Sequence, residues 1–123
     1  MQLSILQRIT QIIQQSGLLT PDKLTAFTDH FSRVDSKRPW IYPGAFKRET
    51  GIDIQTVYRV LQLLEKEGVV RSYLEVQCPY CGKTTGNVYQ SVSEIPDTVV
   101  CPNCESDIDN INSCIVIYRE TVE

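Results

Sequence analysis

A chain of 123 residues, 41% hydrophobic and 22% charged with a formal net charge of −3, has room for one compact domain or two very small ones, and little for an enzyme cleft between lobes. No apolar run approaches the roughly 20 residues a membrane span needs, and no cleavable signal pattern opens the chain, so a soluble cytoplasmic protein without a membrane role is expected. The charge is polarised: residues 1–77 carry ten Lys/Arg against eight Asp/Glu, residues 78–123 two against seven.

In chain order, "LSILQRITQIIQQSG" places Leu6, Ile9 and Ile13 on one helical face with Leu3, Ile5 and Ile12 beside it, and Gly17 stops the helix. The opposite face carries Gln2, Gln7, Gln11, Gln14 and Gln15. Such a face is ordinarily solvated, yet it costs less to bury against a partner than a charged one. In "TPDKLTAFTDHFSRV" Thr20 can cap, Pro21 suits the first helical position and Asp22 the positive helix end, which gives a second helix. His30 is the sole histidine, and one histidine at a helix end is surface or half-buried packing far more often than a ligand or general base.

"VDSKRPWIYPGA" has two prolines and a glycine and reads as a loop or short extended piece. Lys37, Arg38, Trp40 and Tyr42 interleave cations with aromatics there, a mixture suited to phosphates and bases, while Trp40 serves equally as the plug of a small core.

Next, residues 43–50 form a short helix, Gly51 permits a tight turn, Asp53 caps a longer helix over residues 54–67, and Gly68 ends it. Two helices joined by a short glycine turn make a helix-turn-helix. On a 100° wheel Ile54, Val57, Val60, Leu61 and Leu64 share one side, and Gln55, Arg59, Gln62 and Lys66 form an acid-free stripe opposite. "TVYRVLQLLEKEGVV" resembles the recognition helix and following strand of bacterial winged-helix regulators, including the ferric uptake regulator family, over roughly residues 43–76. The resemblance implies that this helix enters the DNA major groove, with Gln55, Thr56, Tyr58 and Arg59 facing bases or phosphates. Lys47, Arg48, Gln62 and Lys66 complete the candidate nucleic-acid set. Ferric uptake regulators use several histidines, so the resemblance does not extend to metal-responsive repression.

Residues 70–77 alternate, with Val70, Leu74 and Val76 on one side and Arg71, Tyr73, Glu75 and Gln77 on the other. Directly after them come "CPYCG" and, 19 residues on, "CPNC". Cys78, Cys81, Cys101 and Cys104 stand at the spacing of a tetrahedral zinc site, and an odd total of five cysteines without a signal peptide favours metal ligation over disulfides. Four sulfurs fill the coordination shell of one Zn2+, leaving no open position, so the zinc is structural. A redox dithiol or an iron–sulfur site is the alternative for such a set. Residues 78–104 resemble the zinc-ribbon family. Cys114, in the alternating "SCIVIYRE", reads as a small buried hydrophobe, with a fifth ligand or a reactive thiol as the alternative.

The expected fold is α+β: a helical winged helix-turn-helix domain over residues 1–77, with a small β zinc ribbon and a C-terminal strand over residues 78–123, the ribbon inserted at or after the wing. Residues 71–77 are expected to pair antiparallel with residues 113–119, because no returning wing strand precedes Cys78. The zinc would then take the place of the hairpin turn. The arrangement, though no single motif, resembles the transcription factor E family, which bridges polymerase and promoter.

Two functions fit. A DNA-binding transcriptional regulator accounts for the helix pair and its stripe; residues 33–59 hold six cations against three acids. A non-catalytic protein–protein adaptor accounts for the acidic ribbon and the glutamine face. The expected partners are accordingly duplex DNA through the helix-turn-helix, a protein through the ribbon or first helix, and a second copy of the chain. An enzyme is not expected, because one histidine, a closed zinc shell and no phosphate-cradling glycine loop leave no catalytic set.

Overall fold

The computed structural model describes residues 3–35, 37–109 and 114–121. Among them are four α-helices, α1 (Leu3–Ser16), α2 (Pro21–Phe31), α3 (Pro43–Thr50) and α4 (Ile54–Lys66), and six strands, β1 (Trp40–Ile41), β2 (Val70–Gln77), β3 (Thr84–Tyr89), β4 (Val99–Val100), β5 (Asp107–Ile108) and β6 (Cys114–Glu120). The fold is α+β. Two compact units make up the chain: a helical unit of Met1–Arg71 with Tyr118–Glu123, and a cysteine unit of Ser72–Ile117.

Local sequence sets the helix boundaries. The Thr20 side chain accepts from the Lys23 amide at the start of α2, and Pro21 takes the first turn, where its missing N–H costs nothing. The α3 C-cap is Gly51, left-handed at φ 71°, and its amide donates to the Lys47 carbonyl. Two residues later the Asp53 carboxylate accepts from the Gln55 amide and starts α4. The chain thus turns between α3 and α4 within three residues.

Packing in the helical unit runs α1 on α2, α2 on α3, and α4 on both α3 and α1. Ile9 and Ile13 of α1 are buried as the wheel requires, and Leu6 is half-buried. At the centre sits an aromatic cluster that the sequence reading did not single out. The ring centroids of Phe27 and Phe46 lie 4.9 Å apart, and Phe31 is 5.9 Å from Phe27 and 6.0 Å from Phe46. Burying three such rings together removes a large apolar area from water, and edge-on or tilted pairs add to that. Val57, Val60, Leu61 and Leu64 close the core from α4.

The main sheet has the strand order β1-β6-β2-β3. β1 is antiparallel to β6, with Trp40 opposite Arg119 and Ile41 opposite Tyr118. The Thr121 amide donates to the Val69 carbonyl at 2.9 Å, holding the returning chain beside the start of β2. β2 and β6 are therefore sheet neighbours, as expected; Ser113 lies outside the described residues. What the sequence did not suggest is β3, which follows the first cysteine pair and is antiparallel to β2 (Leu74 opposite Tyr89, Gln77 opposite Thr84). A returning strand does exist, placed after Cys78 and Cys81 instead of before them. Its register slips between Glu75 and Gln77. There Gly86 takes φ 80°, and the Thr85 hydroxyl donates to the Val76 carbonyl at 2.7 Å. Glu75 also departs from expectation: alternation assigns it to the polar side, yet it is only 3% exposed.

β4 and β5 form a separate two-stranded ladder, with Val99 opposite Ile108 and Val100 opposite Asp107. Val99 and Ile108 face inward and join Val76, Cys78 and Cys101 in the core of the cysteine unit, against which Cys81, Tyr89, Ile95 and Cys114 pack. No helix among the described residues is long and apolar enough to cross a membrane.

Candidate metal centre and helix face

The first cysteine pair occupies the turn between β2 and β3, the second the turn between β4 and β5. Both turns are built alike. In the first, the Cys78 amide donates to the Lys83 carbonyl at 2.9 Å and the Gly82 amide to the Cys78 carbonyl at 2.9 Å. In the second, the Cys101 amide donates to the Ser106 carbonyl at 2.9 Å and the Glu105 amide to the Cys101 carbonyl at 2.8 Å. The fifth residue of each turn is left-handed, Gly82 at φ 76° and Glu105 at φ 63°. Glu105 is the one non-glycine residue with positive φ among those described. The Asn103 side-chain amide donates to the Thr84 carbonyl at 3.2 Å and ties the second turn to the strand leaving the first.

Held this way, the four sulfurs all lie within 4.8 Å of one another. Cys78 Sγ is 3.6 Å from Cys104 Sγ, and Cys81 Sγ is 3.8 Å from Cys101 Sγ. A zinc tetrahedron with Zn–S bonds of about 2.3 Å has sulfur–sulfur edges of about 3.8 Å, so the donor set fits Zn2+. Cys78, Cys81, Cys101 and Cys104 form a structural zinc site. Their four thiolates would fill the shell of the ion, which would cross-link β2–β3 to β4–β5.

The surroundings favour ionised sulfur unevenly. The Ser106 hydroxyl, 3.2 Å from Cys104 Sγ, and the Ser106 amide bring that thiol down to about 6. Burial opposes ionisation of Cys101, but the amides of Cys104 and Asn103 outweigh it and bring its pKa down. At Cys81 the Lys83 amide favours the thiolate, yet burial and the three neighbouring thiols prevail and push it up to about 11. Crowded thiols share their protons in this way, and a bound dication ionises the whole set. Ser106 and Glu105 were not singled out in the sequence. A glycine at the fifth position of the second turn, as in the first, would have revealed the equivalence.

Cys114 is half-buried against the cysteine-unit core and outside the four-sulfur cluster. Burial raises its thiol pKa. It is a packed hydrophobe, as the simpler reading had it.

In the helical unit, Gln55, Arg59, Gln62 and Lys66 are all exposed on α4, opposite the buried Val57, Val60, Leu61 and Leu64. Lys47 and Arg48 are exposed in the last turn of α3. Thr56 and Tyr58 are half-buried and leave this stripe. The Tyr118 phenol is pushed up to about 12 by burial, with Glu65 and Tyr58 adding to the shift, which puts Tyr58 near a buried group. Trp40 is half-buried with the Arg119 guanidinium 5.3 Å from its ring centroid. His30 packs edge-on against Phe46 at 4.4 Å between centroids.

Two caps fix the helix pair from outside. Lys23 Nζ on α2 donates to the Thr50 carbonyl at the end of α3 at 3.2 Å. The Arg8 guanidinium on α1 donates to the Glu67 carbonyl at the end of α4 at 2.8 Å. Both place a cation at the negative end of a helix dipole.

No family model matches the chain, and no curated protein does. Among solved structures it is similar to the ferric uptake regulator of Helicobacter pylori, described as revealing three functional metal binding sites: 21% identity over 86% of this chain and 68% of that one, at a TM-score of 0.39. At that distance the likeness carries no inference about this chain.

Proposed function

We propose that the protein is a zinc-stabilised winged helix-turn-helix DNA-binding regulator and not an enzyme, with α4 as the helix that enters the major groove. The observation that carries this reading is the stripe on α4. Gln55, Arg59, Gln62 and Lys66 are exposed, contain no acid, and recur at helical spacing opposite buried Val57, Val60, Leu61 and Leu64 and half-buried Ile54. Glutamine reads adenine edges, and arginine reads guanine edges or phosphates. α3 ends in exposed Lys47 and Arg48, and a short glycine turn joins it to α4, which supports reading the pair as a helix-turn-helix. β2 and β3 would be the wing. In this reading the zinc shapes the cysteine unit and takes no part in chemistry.

The test is binding of the zinc-loaded protein to mixed-sequence duplex DNA by fluorescence anisotropy across a salt series. Binding should weaken as salt rises, with a log–log slope of about 0.9 per phosphate contact. Arg59→Ala with Lys66→Ala should weaken it without lowering the melting temperature, since both side chains are exposed. No binding at low salt, or equal binding by the double variant, overturns the proposal.

A further inference from the structure

All the exposed large hydrophobic residues among those described belong to the cysteine unit: Tyr80 at 70%, Val100 at 57% and Val92 at 55%. Two of them stand at the metal. Tyr80 lies between Cys78 and Cys81, and Val100 directly precedes Cys101, so both are tethered to sulfurs within 4.8 Å of one another. The β4–β5 register fixes what accompanies them. Val99 and Ile108 are opposite each other and buried, so Val100 and its partner Asp107 share the outward face. Glu105, also exposed, follows in the turn that closes on Cys101.

We propose that this zinc end is a docking surface for a basic polypeptide segment carrying apolar side chains. Leaving an aromatic ring 70% exposed on so small a unit costs solubility without adding to the core, and exposed aromatics beside polar rims characterise interfaces. The charge chooses the occupant. Residues 72–117 hold six Asp/Glu against Lys83 as the one cation, and four thiolates around one Zn2+ contribute two further negative charges. Asp107 is the cross-strand partner of Val100 and exposed Glu105 lies two residues before Asp107, so a segment that presents Lys or Arg beside a Leu or Phe meets complementary chemistry there. Duplex DNA and an acidic partner are repelled by the same field. The inference is independent of the DNA-binding reading, since it concerns the other unit and needs no contact from α4.

The test titrates a synthetic amphipathic Lys/Leu peptide into the full-length zinc-loaded protein, with NMR shifts read on backbone amides. Shifts should concentrate on residues 79–82 and 99–107. Tyr80→Ser should weaken the peptide at least about tenfold while the protein retains one zinc. Asp107→Asn should weaken it and flatten its salt dependence. Replacing the peptide leucines by alanine should abolish binding, which separates docking from charge attraction alone. Undiminished affinity in Tyr80→Ser, or shifts confined to the helical unit, overturns the proposal. So do equal shifts with duplex DNA. Concentration-dependent self-association that moves the same amides without peptide would reassign the surface to a second copy of the chain.

Discussion

Gly82 and Glu105 are structural equivalents: each is the fifth residue of a cysteine turn, each is left-handed, and each donates its amide to the carbonyl of the turn's first cysteine. A glycine occupies that backbone region freely, whereas a residue with a Cβ is strained there by roughly 1–2 kcal/mol. Glu105→Gly should therefore stabilise the zinc-loaded protein by about 1 kcal/mol, partly offset by the extra freedom glycine gains in the unfolded chain. Gly82→Ala should destabilise it by a similar amount, although open space surrounds the position. Denaturant midpoints of the two variants, expected to move in opposite directions, check the equivalence.

Metal analysis should find one zinc per chain. Cys78→Ser should lose it and unfold the cysteine unit, because the small core of Val76, Val99 and Ile108 depends on the cross-link. Cys114→Ala should keep full zinc content. Alkylation of Cys114 in the native protein should be slow, as burial raises its thiol pKa.

At the α3–α4 turn, Lys23 Nζ lies 3.1 Å from where a side chain on Gly51 would begin, and Gly51 is left-handed. Lys23→Met removes a charged hydrogen bond at a helix C-terminus and should cost about 1 kcal/mol. Gly51→Ala should cost more, through left-handed strain and through the tight approach of that ammonium, which must shift slightly. The double variant should cost less than the two together, because removing the ammonium relieves the tight approach. A double-mutant cycle in urea measures the coupling.

His30 offers a clean pH measurement because it is the sole histidine. Burial lowers its pKa, Arg33 lowers it further, and Glu49 and Asp29 partly oppose them. The folded state therefore binds fewer protons than the unfolded one below the ordinary histidine range. The stability involved is fully present above the unfolded value of about 6.5 and is lost as pH falls through the folded pKa. Titrating the ring proton by NMR should give a midpoint below the unfolded value. In His30→Gln the fall in stability between pH 7 and 5 should be shallower.

Phe46→Ala should cost about 3–5 kcal/mol, since its ring meets Phe27, Phe31 and His30. This loss should appear in thermal unfolding of the zinc-loaded protein and far exceed that of any single change on the exposed face of α4.

Legibility in the sequence followed the range of the interaction. Thr20, Gly51 and Asp53 act on a residue two to four places away, so their capping roles can be read from local order. The metal site was equally plain because the two cysteine spacings encode their own turns. The adjacency of β2 and β6 followed from matched alternation. β3 was hidden: "TTGNVY" is half polar, contains a glycine, and breaks its period at the slip beside Val76. Burial of Glu75 reverses what alternation assigns, and nothing in the neighbouring residues signals it. The phenylalanine cluster depends on three side chains from two helices converging, which no single-helix periodicity displays.

The helical unit takes its residues from two stretches, Met1–Arg71 and Tyr118–Glu123, and this imposes an order of events on synthesis. β1 lies at the sheet edge with β6 as its ladder partner, so the β1–β6 ladder closes only after residues 118–119 have been made. All four zinc ligands precede residues 118–119 in the chain and are made first. At roughly 5–20 residues per second the wait from Ile41 to Tyr118 lasts several seconds. Zinc bound before β6 docks would contract the intervening chain and lower the entropy cost of bringing β6 home. The metal would thus time the completion of the helical unit, whose second stretch follows the ligands in the chain. Starved of zinc, newly made chains should show a lag in completing the helical unit even where its finished stability is unchanged.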